Sequence, residues 1–163
     1  PKDVMGYEKA VEWNGLIVAF GFIVTFSIAF FLEKKKKKHG AKMIHFACLL
    51  FGAISFLWFP TIQNQYVFFA VIIGYGIAWA SMMGIPYLMV VAVIPKERYG
   101  VYMGIINMMI VIPMIIQNLS FGYILKNFLD NDPRQAISFA GVLLMLAAIC
   151  TLLIKIKNTK LSE

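Results

Sequence analysis

Five apolar runs, each long enough to cross a lipid bilayer, divide this chain of 163 residues. They cover residues 14–32 ("NGLIVAFGFIVTFSIAFFL"), 43–60 ("MIHFACLLFGAISFLWFP"), 66–94, 101–125 and 136–154. About 20 residues of helix cross a hydrocarbon core roughly 30 Å thick, so the third run is long enough to tilt or bend. In lipid every backbone N–H and C=O must find its partner inside the structure, which leaves helices and closed barrels. Runs of this length are too long for barrel strands. The expectation is an all-α, polytopic membrane bundle of five transmembrane helices, preceded by an extracellular or periplasmic segment at residues 1–13 and followed by a cytoplasmic tail at 155–163.

Composition removes the soluble alternative. The chain is 61% hydrophobic and 14% charged, with a mean hydropathy of +0.79. A soluble domain carries about 25% charged residues, and one this small could not hide so much apolar surface from water. The net charge of +7 does not indicate nucleic acid, because the basic residues sit in loops between spans and no aromatic-plus-basic module is present. Eleven of the fifteen Lys and Arg residues fall on one side of the membrane: Lys34, Lys35, Lys36, Lys37, Lys38, Lys42, Lys96, Arg98, Lys155, Lys157 and Lys160. Lys2, Lys9, Lys126 and Arg134 fall on the other. Positive charge stays inside, which implies a multi-pass protein of the cell membrane with a cytoplasmic C-terminus.

The spans hold little that could do chemistry. Cys48 and Cys150 lie inside apolar runs as small hydrophobes, with no metal-ligand spacing and no disulfide framework. No Ser/His/Asp set or pair of buried acids is present, so neither an enzyme, a metal nor a cofactor is expected. "GYGIAWASMMG" fails as a dinucleotide fingerprint: Trp79 takes the place of the third glycine and no strand precedes it. Small residues at four-residue spacing mark helix contact faces: Gly21, Thr25 and Ala29 on the first span, Gly76, Ala80 and Gly84 on the third, Gly100 and Gly104 on the fourth.

Asn107 and Asn118 lie about 20° apart around the fourth span, with Gln117 on the flank. Such carboxamides either bond a neighbouring helix or line a cavity for a hydroxyl-rich ligand. Glu12 is either a solvated carboxylate at a helix start or a carboxylate at the outer mouth of a transport path. His45, near the inner end of the second span, is interfacial rather than a proton relay. Pro86 and Pro113 each remove a backbone hydrogen bond within a span.

The two longest spans meet at the elbow Pro95-Lys96-Glu97-Arg98. From Gly76 onward the segment reads "GIAWASMMGIPYLMVVAVIPKERYGVYMGIINMMIVIPMI", which closely resembles the tenth helix, cytoplasmic loop and eleventh helix of major facilitator superfamily sugar carriers. The branch it is most similar to is the sucrose/maltose-type carriers allied to the glycoside–pentoside–hexuronide cation symporters. Gly76 to Ser81, Pro86-Tyr87, Pro95, Gly100 to Ile105, Asn107 and Ile112-Pro113 carry the match. It extends to "VEWNGLIVAF", Gly40-Ala41-Lys42, His45, Gly122 and Gly141. The chain departs from these relatives at residues 91–94, where they often carry Ser-Asp, and at Met114, where they often carry Gln.

The resemblance implies helices eight to twelve of a twelve-helix carrier working by alternating access, with a proton or other cation as coupling partner. A chain that opens on Pro1 is then expected to be a fragment, with the preceding N-terminal helices as its partners beside the sugar and the lipid bilayer. Trp79, Asn107, Gln117 and Asn118 become candidates for sugar binding. Lys42, Pro95, Arg98, Gly100 and Gly104 become candidates for the cytoplasmic gate. The competing expectation is a membrane scaffold or assembly subunit without a substrate path.

Overall fold

A computed structural model describes residues 2–91 and 93–154, and for residues 2–5 and 33–39 the backbone alone. The tail expected at 155–163, with Lys155, Lys157 and Lys160, lies outside the described residues, as do the side chains of Lys2 and of the lysines at 34–38. Among the described residues the regular structure is helical throughout: α1 (Lys2–His39), α2 (Ala41–Trp58), α3 (Phe68–Val91), α4 (Tyr99–Phe128) and α5 (Pro133–Leu153). Each covers most or all of one apolar run, and each lies in a helical stretch long and apolar enough to cross a membrane.

The helices do not stop where the apolar runs stop. α1 begins at Lys2 and lasts 38 residues, about 57 Å at 1.5 Å per residue. The segment expected to precede the first span is therefore helical too. Its Lys, Glu, Ala and Met residues are good helix formers, and the basic run at 34–38 continues the same helix. Gly40 ends it with φ 75°, a left-handed conformation that glycine adopts without a Cβ penalty. α5 starts three residues before its apolar run because Asp132 caps it, accepting from the Arg134 N–H at 2.8 Å, with Pro133 in the first turn. α3 ends at Val91, short of the apolar residues Val93 and Ile94. Pro95 then opens a 3-10 turn over Lys96–Arg98, closed by Arg98 N–H to Pro95 O at 3.1 Å.

α3 packs between α1 and α2, and α2 packs between α3 and α5, giving a row α1–α3–α2–α5. Close approach explains the row. A Cβ on Gly52 would strike Ala78, one on Gly74 would strike Ser55, and one on Gly141 would stand 3.1 Å from the Leu57 backbone nitrogen. On the α1–α3 side, a Cβ at Gly76 would meet Val24 at 2.9 Å. There the Thr25 hydroxyl donates to Gly21 O at 2.9 Å and to Gly76 O at 3.3 Å. Small residues thus let backbones meet and a hydroxyl cross between helices. Gly84, Gly100 and Gly104 differ from the expectation: nothing lies within 4 Å of a Cβ built on any of them. α4 touches the edge of α3 and buries none of its residues, so among the described residues the contact face written into its start meets no helix.

Candidate functional site

The end of the bundle away from the elbow holds a cavity of about 750 Å³ between α1, α2 and α3. Phe22, Phe56, Phe59, Phe68 and Tyr75 form its apolar wall, and Lys9, Trp13, Asn14 and Gln65 bring polar groups to it. Trp13 is fixed there by edge-on contacts to Tyr66 and Phe69, with ring centroids 5.5 and 6.2 Å apart. Glu12, next in sequence, is exposed and is not part of this wall.

Trp79 does not line the cavity but continues from it. Its ring stacks on Tyr75 one turn earlier, centroids 5.7 Å apart and planes at 23°. Tyr75 stacks in turn on Phe56 of α2 at 5.8 Å and 14°. The three rings make a ladder from the cavity wall to the half-exposed indole, which keeps 36% of its surface open. Flat, near-parallel aromatic faces suit the apolar face of a sugar ring as well as another arene.

The carboxamides are separated by the structure. Asn107 Oδ1 accepts a hydrogen bond from the Tyr87 hydroxyl at 2.6 Å, joining α4 to α3 across the elbow. Gln117 and Asn118 are exposed on the far part of α4. Of the four candidates for sugar binding, Trp79 belongs to the aromatic ladder, Asn107 to the α3–α4 contact, and Gln117 and Asn118 to an open helix face. No single enclosure within the described residues contains all four.

At the elbow Pro95, Arg98, Gly100 and Gly104 come together at the start of α4. Arg98 is exposed, and the Tyr99 hydroxyl reaches back to Val91 O at 3.5 Å, over the end of α3. Lys42 is elsewhere at the same end. Its Nζ donates to Leu152 O and Ile154 O, each at 2.7 Å, so it caps the C-terminus of α5. A cation suits that position because the last carbonyls of a helix lack intrahelical partners and carry its negative dipole end. His45 is bonded rather than merely interfacial: its Nδ1 lies 2.7 Å from the Oγ of Ser81, a residue with no exposed surface.

Sequence reasoning did not single out Phe56 or Tyr75, and it named Ser81 and Tyr87 only among the residues that carry the resemblance. The four-residue spacing of Tyr75 and Trp79 was a readable signal. Nothing local marks the partners of Phe56, Tyr87 and Ser81, each of which lies on another helix.

Five membrane-length helices, packed through small residues and with few polar groups inside, define a multi-pass membrane protein. Residues 2–118 match the family model of the Major Facilitator Superfamily. That is well over half the chain, and it belongs to this superfamily of membrane transporters. Neither the curated proteins nor the solved structures give a match.

Proposed function

We propose that this chain forms the C-terminal part, helices eight to twelve, of a secondary transporter that moves a sugar or glycoside by alternating access, coupled to a proton or other cation. The aromatic ladder Phe56–Tyr75–Trp79 is the observation that carries the sugar reading. It presents an indole face beside a cavity whose wall is mostly apolar, with aromatic rings and a few polar groups, which fits a ligand with one apolar and one hydroxyl-bearing face. Asn107, Gln117 and Asn118 supply carboxamides on the neighbouring helix. In the complete carrier they line the path from the α4 side, and the preceding helices supply the other wall and the coupling carboxylate. Glu12 stands at the outer mouth. The basic loops and the C-terminus face the cytoplasm, in keeping with the distribution of Lys and Arg.

The bare α4 supports the reading of this chain as part of a larger bundle. A helix with no buried residue and a glycine pair at its start offers a face for helices outside this chain. The same bareness fits the competing scaffold, in which that face holds partner proteins instead.

Uptake of labelled sugars into vesicles containing the complete carrier tests the proposal. Trp79→Ala is expected to weaken apparent affinity about tenfold, the loss of roughly 1.4 kcal/mol of stacking. No uptake of any mono- or disaccharide by the wild type would remove the sugar reading. A coding frame without further membrane spans ahead of Pro1 would favour the scaffold.

A further inference from the structure

The cavity and the aromatic ladder share one face of α3. Phe68, Val71, Ile72 and Tyr75 line the cavity. Trp79 follows Tyr75 by four residues, which keeps it on that face one turn further in, and the two rings stack with centroids 5.7 Å apart. The floor of one groove thus runs from Phe68 to Trp79, with α1 and α2 as its walls. Its polarity is uneven. Lys9, Trp13, Asn14 and Gln65 gather at the end away from the elbow. Between them and Tyr75 the lining drawn from residues 17–22 of α1 and 68–72 of α3 carries no polar side chain.

We propose that the substrate is a glycoside with an apolar aglycone, aryl or alkyl, which lies in this groove against Val18, Phe22 and Ile72 while its sugar stacks on Trp79. The proposal rests on the sugar reading and adds what is joined to the sugar. A sugar ring on Trp79 has the apolar stretch as its neighbour along the groove. A second sugar there would bring hydroxyls out of water beside walls that offer them no partner, and each one left unpaired weakens binding about tenfold. An aglycone gains instead from burial against the same walls. The volume of about 750 Å³ falls within the range of about 300–1,000 Å³ of small-molecule sites, which are likewise mostly apolar with a few polar groups to orient the ligand. Val18 and Phe22 keep 41% and 64% of their surface exposed, so neither is committed to holding the helices together.

The chain in zwitterionic nanodiscs, with Trp58→Phe, keeps two indoles, Trp13 at one end of the groove and Trp79 at the other. 4-Nitrophenyl glucoside and galactoside quench their fluorescence on binding, and the matching methyl glycosides are read by displacing them. The nitrophenyl probes are expected to bind about tenfold or more tightly than the methyl ones. Phe22→Ala removes part of the apolar wall and Val18→Phe fills the groove. Each is expected to cut that advantage about threefold or more and to leave the methyl glycosides where they were. Trp79→Ala is expected to weaken both kinds of probe. Equal binding of nitrophenyl and methyl glycosides overturns the proposal and leaves the sugar reading standing, as does an advantage indifferent to both wall substitutions. If 4-nitrophenol alone binds as tightly as its glycosides, or Trp79→Ala changes neither probe, the sugar reading falls with it. Quenching that no methyl glycoside displaces, with probes up to about 1 mM, the top of the usual KM range, also overturns the proposal.

Discussion

α2 and α4 are both apolar helices dotted with small residues, yet α2 buries Cys48, Leu49, Gly52, Ala53 and Ser55 whereas α4 buries nothing. Apolarity is common to the two and so cannot be what selects their neighbours. Lipid tails are as apolar as leucine, which removes the expulsion force that drives soluble cores together. What remains is fit. Gly52 of α2 stands against Ala78 of α3, and Ser55 stands against Gly74, so each narrow place on one helix meets a narrow place on the other. Gly100 and Gly104 of α4 have the same spacing with open space opposite. Partition into the membrane and choice of partner are thus written in different residues.

Two glycine substitutions separate those roles most sharply. Gly74→Val would drive a side chain into Ser55 and toward Phe51 O on α2, overfilling the tightest seam of the row. Overpacking costs about 1–3 kcal/mol in ordinary cores, and this seam has backbone, not a flexible side-chain tip, on one side. The variant is expected to lose most of its resistance to unfolding in detergent, followed by circular dichroism. Gly104→Ala meets nothing, and alanine is a better helix former by roughly 0.8–1 kcal/mol. It should leave this chain as stable as the wild type or slightly more so. In the complete carrier the same change should impair transport, if α4 there packs on another helix. Equal losses at both glycines in the isolated chain would break the comparison.

That contrast also explains what was legible in the sequence. The five spans and the helical class follow from run length, because the bilayer imposes one dimension on every helix. The elbow was legible too, since Pro95 and three charges interrupt an apolar stretch. The helix ends were not: α1 runs on through charged residues because leaving hydrocarbon does not stop a helix, whereas the caps at Gly40 and Asp132 do. The packing expected at Gly21, Thr25 and Gly76 is present, and that expected at Gly84, Gly100 and Gly104 is not, because a small residue marks a possible contact and the facing helix decides it. Lys42 as a cap of α5 joins residues 110 and 112 positions apart, a separation that no periodicity encodes.

A smaller effect is expected at the elbow, where the two kinds of region join. Arg98 is exposed, so Arg98→Ala should leave the stability of this chain within about 0.5 kcal/mol. In the longer carrier proposed above it should lower the maximal transport rate several-fold with little change in half-saturating substrate, as expected of a latch at the moving end rather than a binding contact. Kinetics identical to the wild type would remove Arg98 from the gate. A raised half-saturation constant at unchanged rate would move it to the binding path.

The smallest effect belongs to the bond between the Tyr87 hydroxyl and Asn107 Oδ1 at 2.6 Å, which ties α4 to the row beside the longer reach of the Tyr99 hydroxyl to Val91 O. Interhelical hydrogen bonds in membranes average only about 0.6 kcal/mol in double-mutant cycles, because the separated helices also find partners. Tyr87→Phe and Asn107→Leu are each expected to destabilise slightly, and their double variant to do so by less than the sum, with a coupling of about 0.6 kcal/mol. Additive losses would mean that Asn107 is not engaged with α3. Its carboxamide would then be free for a ligand, and α4 would be held by the elbow alone. A coupling well above 1 kcal/mol would instead make this bond the anchor of α4 and would assign Asn107 to holding helices together, leaving Gln117 and Asn118 as the carboxamides available to a sugar.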